Sequence, residues 1–215
     1  MQTRMGKTTM PLYENVYISH DSSVAKYCFL LADDVEISGR PDITLTWVKD
    51  PQHVKESIDI SDFSEAVSVG EGSYIESLDR LAFHCGRVKL TVVKLNDHEP
   101  GKIIIGEHVV LQGTAIVAYQ QVIIENHVIF GPNVTVMDSS GHPLRGRGGR
   151  DEASRITSAP VHIKEHAWIG MGAVILKGVT IGRHAVVGAG SIVNEDVPDY
   201  ALALGNPAKV VKSLK

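Results

Sequence analysis

From Ile163 to Pro198 the chain cuts cleanly into sixes: IKEHAW, IGMGAV, ILKGVT, IGRHAV, VGAGSI, VNEDVP. Every unit opens on Ile or Val, at Ile163, Ile169, Ile175, Ile181, Val187 and Val193. A period of six fits neither the 3.6-residue turn of a helix nor the two-residue alternation of a plain strand. The backbone must therefore turn a corner once per unit.

The other positions obey the same phase. Ala167, Ala173, Val179, Ala185, Ser191 and Val197 fill the fifth position, where a tight interior corner admits only small or β-branched side chains. His166, Gly172, Gly178, His184, Gly190 and Asp196 fill the fourth. Gly enters the left-handed backbone region freely, and Asn, Asp and His are the residues next most often found there. Three such units make one coil, and stacked coils share one apolar core. The fold expected is all-β, a left-handed parallel β-helix of hexapeptide repeats with a protruding loop and a short C-terminal extension.

The repeat extends upstream. Units start at Ile105, Leu111 and Val117, then, after one extra residue near Gln120 to Val122, at Ile124, Phe130 and Val136. The extra residue predicts a local bulge. The fourth-position rule gives His108, Thr114, His127 and Asn133 here. Spacings of six also link Leu31, Ile37 and Ile43, and Val69 with Ile75, so coils begin early and are interrupted. The organisation expected is an irregular segment over 1–30, with a turn at His20 to Ser23, then a β-helix over 31–198 and an extension over 199–215. Asp50 to Glu65 is a candidate for a short helix, Leu78 to Lys94 holds strand-like runs, and His98 to Gly101 reads as a turn. The period lapses over 137–162, in a stretch rich in Gly, Ser and Arg that cannot sit inside the prism. It is read as a long loop, the kind of segment that carries function.

Composition narrows the class. With 215 residues the chain can bury a sizeable core, and the repeat argues for one elongated domain. A net charge of −4 gives no electrostatic case for nucleic acid. No apolar run approaches the ~20 residues of a membrane span, and the basic N-terminus lacks the apolar core of a secretion signal. Cys28 and Cys85, the only cysteines, form no disulfide framework. A cytoplasmic protein is expected.

Five stretches then resemble the hexapeptide-repeat acyltransferases, nearest the maltose, galactoside and polysaccharide O-acetyltransferases. They are GPNVTV (Gly131 to Val136), GHP (Gly141 to Pro143), Ser158 to Gly182, VVGAGSIV (Val186 to Val193) and GNPAKVVK (Gly205 to Lys212). The resemblance covers about the C-terminal half. It implies an enzyme that moves an acetyl group from acetyl-CoA, as co-substrate and with no metal required, to a hydroxyl of a sugar, glycan or similar small acceptor.

In that resemblance His142 of the GHP motif is the general base. An imidazole suits the task because its pKa lies near the operating pH, and a ternary complex needs no covalent intermediate. Its orienting partner is either Asp138 or a backbone carbonyl. Carried over position by position, the CoA contacts are Met171, Ala189, Asn194, Lys209 and Lys212, along a groove between subunits of a homotrimer. Lys stands where Arg is common, keeping the charge but losing the bidentate fork. Trp168 is either an aromatic wall of that groove or a surface aromatic. Asn133, Tyr119, Gln112 and Arg145 are candidates to face the acceptor. Arg145, Arg147, Arg150 and Arg155 form a basic cluster that meets an anionic ligand or is a solvated loop.

Other readings stay open. An N-acetyl- or antibiotic acetyltransferase could use the same base. A γ-carbonic-anhydrase-like hydratase would want H-x4-H, a spacing this chain lacks. The third alternative is a non-catalytic β-helix. His108, His127, His166 and His184 recur at one corner position and would stack along one edge, which a metal ladder or simple corner tolerance would explain.

Overall fold

The computed structural model describes residues 12–18, 25–53, 59–80 and 82–215. The strands form three sheets of seven, six and eight strands, wrapped around one core. Within the coils all neighbours are parallel, and the chain visits the faces in rotation. Lys102–Ile105 lies on the second face, Val110–Gln112 on the third and Ala115–Ala118 on the first. This is a left-handed parallel β-helix.

Register shows why the hexapeptide works. Ile163, Ile169, Ile175, Ile181 and Val187 are completely buried and Val193 is 1% exposed. Each lies over its counterpart one coil away: Ile169 pairs with Phe130 and Val187, and Ile175 with Val136 and Val193. The small fifth-position residues are buried beside them. Gly172, Gly178, Gly190, His108, His127, His166 and His184 all have positive φ. At Gly190 nothing lies within 4 Å of where a Cβ would be, so glycine is required there by the backbone (φ 68°), not by crowding.

Four expectations need correction. Val117 does not point inward. Ile116 and Ala118 are buried, and Ile116 pairs with Leu90 and Val136. The slip thus falls earlier than Gln120, and Gly113 takes the positive φ expected of Thr114. In place of a bulge, Tyr119 and Gln120 form a bend between strands Ala115–Ala118 and Gln121–Ile124. Asp196 adopts no positive φ; its carboxylate accepts a hydrogen bond from Thr180 N instead (2.7 Å).

The N-terminal segment is also more ordered than expected. Leu12–Ile18 is a strand, antiparallel to Asp42–Lys49, and Ala25–Cys28 is one helical turn. The His20 to Ser23 turn lies outside the described residues. Between Asp50 and Glu65 there is no α-helix among the described residues, only 3-10 turns at Pro51–His53 and Ile60–Phe63. Lys89–Leu95 is the strand expected within Leu78 to Lys94, while the LAF run is not a strand among its described residues. The turn expected at His98 to Gly101 centres slightly earlier, where His98 N donates to Leu95 O (2.9 Å).

Three of the excursions share one origin. Residues 50–66, 96–101 and 138–160 all leave the corner between the first and second faces. The largest begins after Thr135–Met137 and ends at Val161–Ile163, slightly inside the bounds expected. At the far end, Ala201–Gly205 joins the third face and Ala208–Ser213 folds back antiparallel to it.

Candidate active site

The 138–160 excursion is a built loop. A bridge between Ser139 and Ser158 closes its neck, and Ala159 N donates to Asp138 O (2.8 Å). Arg155 lies across its middle, donating from its guanidinium to Arg145 O and Gly146 O (2.7 Å each) and pairing with Asp151 (3.0 Å). Arg155 is therefore a staple of the loop, while Arg145, Arg147 and Arg150 are exposed around it.

His142 stands on this loop with its side chain about half exposed (54%). Its Nδ1 lies 2.8 Å from Glu152 Oε1, and Glu152 is itself 2% exposed. Burial works against ionisation of Glu152, yet hydrogen bonds from Gly148 N–H and His142 hold its carboxyl below the usual glutamate range. An ionised carboxylate can only accept, so the proton of neutral His142 sits on Nδ1 and Nε2 carries the lone pair. That is the tautomer a general base needs.

Asp138 is not the partner. Its carboxylate is buried beneath the first corner and accepts from Tyr119 N, Gln120 N and Gln121 N, each at 2.7 Å. Burial pushes this carboxyl above its ordinary value, against the pull of those amides. Asp138 thus shapes the bend at Tyr119 and Gln120.

Sequence reasoning passed over Glu152 and, behind it, Asp50. Asp50 is fully buried at the end of strand Asp42–Lys49. It accepts from Ala153 N (2.7 Å), Ser154 N (3.0 Å), the Ser154 hydroxyl and Asn96 Nδ2 (3.0 Å). Asn96 in turn receives Trp47 Nε1–H on its carbonyl (2.7 Å). The turn Ala153–Arg155 is thereby pinned to the first face, with Glu152 just before it. A small apolar cluster of Val48, Val93, Leu95, Ala153 and Ile156, with Val117 and Tyr119 against it, seals the contact. This is why Val117 can be apolar and face outward.

The remaining candidates are scattered. Asn133 is a corner clamp: its amide receives Gly86 N–H (2.9 Å) and donates to His84 O (2.6 Å). It also lines a groove of about 460 Å³ on the first face, with Asp42, Arg87, Lys89 and Thr135. Gln112 adjoins it, its carbonyl accepting Asn133 N–H (2.8 Å). Tyr119 lies at the opposite end of strand Ala115–Ala118, roughly 13 Å away along a four-residue strand. One chain therefore does not gather these residues and Arg145 into a single pocket. Met171 and Ala189 stack on adjacent corners between the third and first faces, Gly190 N donating to Met171 O (2.8 Å). Asn194 is exposed at the next corner, and Lys209 pairs with Glu195 (2.8 Å). Lys212 lies on the last strand opposite Leu202, and Trp168 is an outward, 55% exposed residue of the third face.

The chain combines a left-handed parallel β-helix of hexapeptide repeats with a His–Glu pair on a corner loop. Residues 160–195 match the family described as Bacterial transferase hexapeptide (six repeats). The chain is similar to the galactoside O-acetyltransferase of Lactococcus lactis, 41% identical over 97 residues, which are 43% of this chain and 44% of that protein. The chain spans less than half the length of the curated relatives it matches. Among solved structures it is similar to a Bacillus cereus protein assigned as an acetyltransferase, 25% identical, covering 89% of this chain and 81% of that one, with a TM-score of 0.56. The polysialic-acid-specific acetyltransferase NeuO shares the fold, at 24% identity and a TM-score of 0.59, covering 86% and 71%.

Proposed function

We propose that the chain is a CoA-dependent acetyltransferase that moves an acetyl group from acetyl-CoA to a hydroxyl of a sugar, glycan or similar small acceptor. The observation that carries this reading is the His142–Glu152 pair, buried on the Glu side and open on the His side, on a loop anchored to a transferase-type repeat. His142 Nε2 takes the proton of the acceptor hydroxyl as its oxygen attacks the thioester carbonyl. The C–S bond breaks and CoA leaves as the thiol. Glu152 orients the ring and offsets the charge that develops on it. The first-face groove and its Asn133 offer space for the acceptor, and Met171, Ala189, Asn194, Lys209, Lys212 and Trp168 are the residues proposed to meet CoA.

A homotrimer fits the same reading. The proposed CoA contacts are spread over two corners and the third face of one chain, so a neighbouring subunit would complete the groove. Exposed Ile129, Trp168, Val210 and Val211 supply apolar surface for such a contact. Among the described residues no helix is long and apolar enough to cross a membrane.

The test is thiol release from acetyl-CoA over a panel of sugars and nucleotide sugars, with sedimentation to report the assembly. Acceptor-dependent release that disappears in His142→Ala supports the reading. Release at the parental rate in that variant would sink it.

A further inference from the structure

We propose that the edge carrying His127 and His166 binds a borderline divalent cation, with Zn2+ as the type ion, at a site separate from the His142 loop. His127, Glu165 and His166 each offer a donor atom, and the three atoms lie within 4.8 Å of one another. They sit at the corner between the second and third faces, whereas the His142 loop leaves the corner between the first and second.

The arrangement follows from the coil geometry. His108, His127, His166 and His184 occupy the same left-handed corner position in successive coils, so their rings stack in a column. Centroid separations are 5.0, 4.7 and 4.6 Å, and the His127 and His166 planes are 2° apart. The spacing is that of neighbouring strands, about 4.7–4.9 Å. Among the described residues no hydrogen bond engages the His127 ring. Glu165 lies beside the column, 3.6 Å from His166 Nε2.

Two nitrogens and one carboxylate oxygen suit Zn2+, with water as the fourth ligand. Zn–N bonds of about 2.1 Å bring two nitrogens roughly 3.4 Å apart at the tetrahedral angle. The rings must therefore tilt toward each other by more than 1 Å, roughly the difference between that span and the strand spacing. His166 is 40% exposed on its side chain and has room to do so. Glu165 would exchange its ion pair with Arg183 (3.0 Å) for the cation. His162 and Glu125, paired at 2.7 Å next to it, hold Glu165 N–H on the Glu125 carboxylate (2.9 Å) and so fix the ligand's backbone.

The experiment uses the untagged, chelator-treated chain titrated with zinc chloride by calorimetry. The expected result is one ion per chain with micromolar affinity. His127→Asn and His166→Asn, chosen because Asn keeps the left-handed backbone, should each weaken it about tenfold or more. No binding at millimolar zinc overturns the proposal, as does binding that neither substitution alters. Should a variant fail to fold, imidazole nitrogen NMR on the parent chain decides. Zinc-dependent shifts at His127 and His166 support the site, and shifts confined to other histidines refute it.

Discussion

The coils over 163–198 and the coils over 42–160 are built on the same prism but spend their residues differently. In the first group every corner is tight and nothing projects. In the second, the corner between the first and second faces opens repeatedly, and the loops that emerge hold Asp50, Asn96, His142 and Glu152. Under the proposed function the uniform coils are the rigid support and the interrupted ones hold the residues assigned to the chemistry. Inward residues tolerate little change because each touches the coil above and below. Outward corners tolerate insertion because the chain returns to register afterward.

That contrast can be broken at either end. The largest effect should come from Ile169→Asp in the uniform coils. A carboxylate at a position with no exposure costs more than about 4 kcal/mol and should abolish cooperative folding, read by thermal melts. A retained melt would mean that the repeat is more forgiving than its register implies. His142→Ala should leave the melt in place while acetyl transfer falls by about 10²- to 10⁴-fold, the usual worth of a general base. Next comes Asp50→Asn. It replaces one of the two acceptor oxygens with an NH2, so either Ala153 N–H or the Ser154 and Asn96 donors lose their acceptor, and kcat should fall by roughly tenfold through misplacement of Glu152, with KM for acetyl-CoA little changed. An unchanged kcat would detach the buried network from the chemistry.

The smallest effect is the pH response of the loop. Glu152 has a folded-state pKa below its unfolded value of about 4.3. Its contribution to stability is therefore present above about pH 4.3 and is lost as pH falls through the lower folded value. Glu152→Gln should flatten that acid limb, measured as unfolding midpoints between about pH 3 and 6. An acid limb as steep as the parent's would place the titration on other carboxylates, Glu125 being also held low against burial by its backbone and His162 bonds.

What could be read from the sequence follows the same division. The prism was legible because each inward Ile or Val answers to a one-dimensional period. Ile163 through Val193 could be placed without knowing any contact. His142 was singled out as the candidate base through its motif. Glu152 was not, since its bond to His142 lies within an irregular loop where no period relates the two. Asp50 was further out of reach: it meets Ala153 across 103 residues, and only the folded coil brings them together. The Val117 phase error has the same origin. An apolar residue facing outward resembles a core residue until the loop that covers it is known.

The strands at the two ends of the coil have a consequence for the molecule's company. A parallel coil is a template that another coil could extend indefinitely. Here Leu12–Ile18 runs antiparallel across one end of the first face, and Ala208–Ser213 runs antiparallel beside the third face at the other. Each reverses the hydrogen-bonding pattern that a further parallel rung would need. Growth of either sheet along the axis by a further parallel rung is thereby discouraged at those edges.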